Sequence, residues 1–209
     1  MIFKLENVDT ENKLSVTITL MTEQKNIELF AFVGLAGTGK SAVTHYLGEL
    51  GIPKVSFTEI IMNAIKDAGL EPTLENERMI REKMRLDPSG DLVASEVVAQ
   101  TRRLVESGQH RVVIDGLGSW DTYKRLRHEF PGSLTVIALT ARRHIRHRRL
   151  TSNVDHPMTD QQIDERDYDE IETLNKGGVI AIADYYLFDN GSLEQLHIQI
   201  DDLFRQLEF

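Results

Sequence analysis

The chain contains no cysteine, which excludes a disulfide framework, a thiolate metal site and a thiol nucleophile. Long apolar runs are missing as well: none approaches the roughly 20 residues that a membrane-spanning helix needs. The opening residues 1–9 lack the basic start and apolar stretch of a secretory signal. A soluble cytoplasmic protein is the expectation. Positive charge is also scarce, with 24 Lys and Arg against 33 Asp and Glu, a formal net charge of −9. That balance argues against a broad nucleic-acid or anionic-membrane surface, so an anionic ligand must find a concentrated local pocket. No internal repeat or low-complexity tract interrupts the 209 residues, a length that can bury a substantial core as one domain with small excursions.

What is present begins with a segment that stands apart. Over 14–20, Leu, Val, Ile and Leu alternate with Ser and Thr, the period of a half-buried strand, so 1–26 reads as an N-terminal extension or hairpin. A second reading takes Met21 as the start, because it lies shortly before the first core strand. From residue 27 the pattern becomes βα. The run 27–33 is an apolar strand, a glycine loop follows, and 41–50 carries helical spacing through Val43, Tyr46, Leu47 and Leu50 before Gly51. The spacing predicts a strand over 54–57, an amphipathic helix over 59–68, and two helical stretches within 75–107 broken at 87–90. Buried strands are expected over 111–114, 134–139 and 185–188. Strands separated by helices imply an α/β fold, a three-layer sandwich whose parallel sheet carries helices on both faces.

The glycine loop is Gly34-Leu35-Ala36-Gly37-Thr38-Gly39-Lys40-Ser41. It matches the phosphate-loop pattern G-x-x-x-x-G-K-[ST] in full and lies between a strand and a helix, the context that confirms the motif. Its glycines allow successive N–H groups to turn inward around phosphates at a helix N-terminus. Residues 34 and 36–42, including Thr38 and Ala42, are the expected ATP-binding set. Lys40 would add charge at the β and γ phosphates, and the Ser41 hydroxyl would ligate Mg²⁺. A second metal partner is expected in Asp115, at the C-terminal end of the strand Val112-Val113-Ile114, although an Asp there can also simply open the Gly116-Leu117-Gly118 turn.

Phosphoryl transfer requires cations around the migrating group, and 142–149 supplies them. On one continuous helix Arg142, Arg146 and Arg149 would share a stripe while Arg143 pairs with His147. Such a stripe suits a lid over ATP, a solvated basic helix or a nucleic-acid patch, the last opposed by the net charge. The acidic run 160–172 could satisfy surplus arginines in an antiparallel helix pair. Arg166, the single cation within that run, suits either an ion pair or a phosphate contact.

With the phosphate loop, Asp115-Gly116, Arg146 and Arg149, and the closing segment from Ala183-Asp184-Tyr185 to Asn190-Gly191-Ser192 assembled, the chain resembles nucleoside-monophosphate kinases and dephospho-coenzyme A kinases over roughly 28–205. It is most similar to an adenylate-kinase-related or dephospho-coenzyme A kinase-like branch, through Gly69-Leu70-Glu71-Pro72-Thr73, Arg166-Asp167 and Ile180-Ala181-Ile182-Ala183. The resemblance implies acceptor-side helices at 59–107, a lid at 142–175, Arg146 on ATP, and the Asn190 loop near adenine. It also implies an acceptor site drawn from Thr58, Glu59, Arg85, Gly116 and Arg166. Departures accompany it. Met62 stands where such kinases carry an acceptor-clamping arginine, Leu117-Gly118-Ser119 where arginine follows the Asp-Gly turn, and the second lid arginine group is shortened to Asn153-Val154-Asp155-His156-Pro157.

Glu59 separates two acceptors. A phosphate oxygen needs no general base, whereas the ribose hydroxyl of dephospho-coenzyme A does, and a carboxylate at Glu59 could serve it. The same residue also suits a helix start, where negative charge is favourable. The functional expectation is an ATP-dependent kinase acting on a small nucleotide-like acceptor. A P-loop NTPase or nucleotide-dependent switch with a protein partner is the alternative.

Overall fold

The computed structural model describes residues 27–154 and 156–207; the expected N-terminal hairpin and the Met21 alternative lie outside the described residues. In chain order the elements are β1 (Glu28–Val33), α1 (Lys40–Glu49), β2 (Lys54–Ser56), α2 (Phe57–Asp67), α3 (Leu74–Arg85) and α4 (Leu92–Glu106). Next come β3 (Arg111–Asp115), α5 (Trp120–Glu129), β4 (Leu134–Thr140), α6 (Arg143–Thr151) and α7 (Asp160–Tyr168). A π-helical turn (Asp169–Thr173), α8 (Lys176–Ala181), β5 (Tyr185–Phe188) and α9 (Leu193–Gln206) complete the order.

The strands form one parallel sheet ordered β2-β3-β1-β4-β5. Alternation along β1 explains its unbroken apolar run. Leu29, Ala31 and Val33 face a core shared with Ile61 and Ile65 of α2, Val97 of α4 and Leu126 of α5, while Phe30 and Phe32 face one shared with Val43 and Leu47 of α1 and Ile200 of α9. A strand covered on both faces needs apolar side chains at every position. The three-layer α/β sandwich is therefore as the sequence implies. The connection after β1 runs to β2 on one side of it, and the connection after β3 runs to β4 on the other, so the two diverge at the C-terminal ends of β1 and β3 and open a crevice there, where sheets of this type place ligands.

Side-chain caps mark most helix starts. Ser56, Thr73, Asp91, Ser119, Thr159 and Ser192 each accept a backbone N–H, with full capping boxes at Thr159 and Ser192. α1 has no such cap and no acidic residue in its first turn, so its N–H groups remain available to an anion. α5 was not expected from the sequence; its inner face carries Thr122 and Leu126, with Trp120 and Tyr123 packed beside them. Among the described residues no helix is long and apolar enough to cross a membrane.

Candidate active site

The site grows from the C-terminal end of β1. Gly34 leaves the strand so close to β4 that a Cβ there would lie 2.3 Å from the Leu139 carbonyl oxygen. Gly39, the N-cap of α1, has φ 92°, and a Cβ would meet Asp189 Oδ2 at 2.3 Å. Only glycine fits both demands. The Thr38 hydroxyl braces the loop by donating to the Leu35 carbonyl at 2.8 Å. Lys40 bends back over the loop, its Nζ donating to the carbonyls of Gly34 at 2.8 Å and Leu35 at 3.0 Å. Burial pushes its ammonium down to about 8, against the opposing pull of Glu170; Lys176 and Arg166 push it further down. Ser41 is exposed on the first turn of α1 and Ala42 half-buried behind it.

One strand away, Asp115 ends β3 opposite Phe32 of β1 and Ser56 of β2. Gly116 then turns with φ 82°, letting the Leu117 N–H pair with the Phe32 carbonyl at 2.8 Å. Lys54 reaches across this edge, 2.9 Å from Glu59 Oε1 and 3.9 Å from Asp115 Oδ2. Glu59 occupies the first turn of α2, its N–H held by Ser56 Oγ at 3.3 Å, with the side chain 63% exposed. It is thus a helix-start carboxylate that an ion pair keeps beside Asp115. Thr58 is exposed next to it, and Met62 packs against the core.

The basic segment is organised differently from a single stripe. Arg142 is the N-cap of α6 with ψ 140°, outside the helix, so it does not align with Arg146 and Arg149. Its N–H instead bonds Asn190 Oδ1 at 2.9 Å, tying the loop after β5 to the start of α6. Arg143 and His147 do pair, at 3.3 Å. Arg146, 5% exposed, is bidentate to Asp167 at 2.8 and 2.6 Å and donates to the Ala36 carbonyl at 3.1 Å. Arg149 is bidentate to Asp189 at 2.8 and 2.9 Å and donates to the Gly37 carbonyl at 3.2 Å. Arg143 pairs with Asp164 and His147 with Asp160, partners that ascend one helix as they descend the other, the antiparallel pair expected from the acidic run. Arg146, foreseen on ATP, and Arg149, foreseen facing the transferring phosphate, therefore each hold a carbonyl of the phosphate loop.

Between α3 and α7 lies a cleft of about 240 Å³ lined by Glu77, Arg78, Arg81, Met158, Arg166 and Asp169 among others. Arg81 pairs with Glu77 at 2.7 Å and Asp169 at 3.4 Å. Arg166 faces Glu170 at 3.5 Å and Glu77 at 3.9 Å. Arg85 is half-buried at the far end, beside Arg78, Thr173 and Leu174. At the inner end the π-helical turn buries Glu170, 3.3 Å from Lys176 Nζ. Burial alone would raise the Glu170 carboxyl, but Lys176, Lys40 and Arg166 bring it down to about 2. Burial likewise lowers the Lys176 ammonium. Sequence reasoning gave Glu170 and Lys176 no individual role. The only signals were the i, i+4 spacing of Arg166 and Glu170 and the turn-like Asn175-Lys176-Gly177-Gly178, where Asn175 takes φ 52°.

Among the described residues no cluster of three or more acidic or histidine side chains could hold a metal alone. Ser41 on the first turn of α1 and Asp115 at the end of β3 offer one hydroxyl and one carboxylate, hard oxygen donors that suit Mg²⁺ carried mainly by phosphate oxygens and water.

A family model described as an AAA domain matches residues 31–175. A UPF0200 protein of Thermococcus kodakarensis is 34% identical over 173 residues, covering 81% of this chain and 92% of that protein. One from Thermococcus gammatolerans is 32% identical, covering 83% and 92%. Among solved structures, shikimate kinase from Bacteroides thetaiotaomicron superposes with a TM-score of 0.58 at 14% identity over 87% of this chain and 99% of that one. A gluconokinase from Sinorhizobium meliloti does so with 0.52 at 15% identity over 86% and 97%. These likenesses report a shared P-loop kinase-like fold.

Proposed function

Since the chain belongs to the AAA-domain family, within the P-loop kinase superfamily, we propose that it is an ATP-dependent kinase transferring the γ-phosphoryl group to a small nucleotide-like acceptor. The observation that carries this reading is Arg166. It lines the cleft between α3 and α7 and also lies in the electrostatic field of Lys40, so donor loop and cleft share one charged wall. A donor on the loop and an acceptor in the cleft would meet at that wall, the proximity on which phosphoryl transfer depends.

In this mechanism the uncapped N-terminus of α1 and the loop N–H groups bind the phosphates, and Lys40 swings from the Gly34 and Leu35 carbonyls onto them. Ser41 and Asp115 would hold Mg²⁺, which supplies neutralisation of the β and γ oxygens. Arg146 and Arg149 keep the carbonyls of Ala36 and Gly37 turned away, so the loop presents N–H groups forward. Glu59, beside Asp115, receives the proton if the acceptor is a hydroxyl. Arg81 and Arg166 bind an anionic acceptor by exchanging their carboxylate partners for it, and Arg85 adds charge beside them.

ADP release measured over dephospho-coenzyme A and nucleoside and deoxynucleoside monophosphates tests the reading; it fails if no acceptor raises turnover above that of the protein alone. Glu59→Gln then assigns the acceptor. A kcat loss of about 10² to 10⁴ marks a hydroxyl, and a small change marks a phosphate. A second reading, an NTPase or switch acting with a protein partner, is favoured by the internal pairing of Arg81 and Arg166 and by Met62 in the core. It predicts slow hydrolysis independent of any acceptor and a stable partner in pull-downs.

A further inference from the structure

The group least explained by a purely structural role is Glu170. A buried structural carboxylate has both oxygens bonded, yet among the described residues Glu170 Oε2 has no hydrogen-bond partner, and the side chain is only 4% exposed. Its other oxygen, Oε1, lies 3.3 Å from Lys176 Nζ and 3.5 Å from Arg166 Nε. Lys40 lies within the same field. Lys176, 11% exposed, has no other carboxylate partner among the described residues. Lys176 stands close enough to Lys40 to depress its ammonium, which is unfavourable unless an anion comes between them. One carboxylate half resolves that repulsion, and a chain of phosphates resolves it fully. The π-helical turn that carries Glu170 is of the kind often found at functional sites.

We propose that Glu170 is an internal stand-in for a phosphate group: its carboxylate gathers Lys40, Arg166 and Lys176 and yields them when the phosphates of the donor nucleotide bind, so Glu170 sets donor affinity and Lys176 is a further phosphate-binding cation. This rests on the reading of the glycine loop as the donor site. Glu170 competes with the ligand for the same cations, and the affinity observed is reduced by the fraction of molecules in which it holds them.

The experiment is calorimetric titration of the full chain with ATP and with tripolyphosphate, which presents the phosphates without adenosine. Glu170→Gln is expected to bind both on the order of tenfold more tightly, and Lys176→Met on the order of tenfold more weakly. Glu170→Gln should also melt lower without ligand and gain more from tripolyphosphate than the unaltered protein, because the ligand supplies the missing charge. Should Glu170→Gln not fold, Glu170→Asp, whose shorter carboxylate is drawn back from the cations, carries the same expected direction. ATP binding that is lost in Lys40→Ala yet unchanged or weakened in Glu170→Gln overturns the stand-in and leaves the donor site intact. So does unchanged binding in Lys176→Met. Absence of ATP binding in every variant and in the unaltered chain overturns both.

Discussion

Removing the Asp167 carboxylate would isolate one of the most enclosed charges in the molecule. Arg146 is 5% exposed and Asp167 8%, and their two bonds of 2.8 and 2.6 Å are the short, parallel pair of a bidentate contact. In Asp167→Ala the guanidinium keeps only the Ala36 carbonyl at 3.1 Å. Breaking one side of a buried pair costs about 3–5 kcal/mol, since the remaining charge has neither water nor a counter-charge. For a chain of this size that is on the order of 10 °C in Tm. Urea and thermal denaturation of Asp167→Ala, Arg146→Met and the double variant Arg146→Met/Asp167→Leu measure it. The double variant should recover most of the loss, because replacing both charges removes the desolvation problem along with the attraction. Its ATP affinity should stay low, since Ala36 has lost its anchor. A cost below about 1 kcal/mol for Asp167→Ala, or a double variant no better than the single, would refute the assignment of Arg146 to bracing the loop.

Three other outcomes are expected. Lys40→Ala should abolish turnover while leaving the circular dichroism spectrum and Tm close to those of the unaltered chain, because among the described residues Lys40 bonds only to loop carbonyls; retained turnover contradicts its role. Gly34→Ala should lose ATP binding and melt well below Gly51→Ala, since its Cβ would lie 2.3 Å from a backbone oxygen while Gly51, at φ 82°, faces open space and suffers only the backbone penalty of about 1 kcal/mol; equal melting temperatures sink this. Acid should expose Glu170. Its carboxyl falls from 4.5 to about 2, so the ionised form stabilises the fold fully above pH 4.5 and loses that contribution as pH drops towards 2, about 3 kcal/mol in all. Denaturation curves of Glu170→Gln should lack this acid-sensitive component.

Much of the fold was legible because its signals are local. The βα alternation and the apolar runs of β1, β3 and β4 follow from burial on both faces, and the break at 87–90 separates α3 from α4 as the residues suggest. α5 was not read from the sequence, although Trp120, Tyr123 and Leu126 recur at a spacing of three and pack on the core, because the charged residues between them dilute that short stripe. The basic segment misled in one respect. Helical periodicity assumes the helix already runs, whereas Arg142 is its cap, fixed by Asn190 from 48 residues away.

The candidate site divides along the same line. The eight residues from Gly34 to Ser41 determine their own chemistry, because a phosphate cradle is made of consecutive backbone N–H groups and needs nothing distant to be recognised. Asp115 was expected at a strand end and stands there. What the arginines do was decided only by packing. Arg146 meets Asp167 and Arg149 meets Asp189, pairs whose energy depends on both charges leaving water together. Sequence shows that such charges exist but not which of them share a buried volume. Glu170 and Lys176 are the extreme case: more than a hundred residues from Lys40, they became part of its environment only when α7 and α8 folded over the sheet and removed the water that would have screened them.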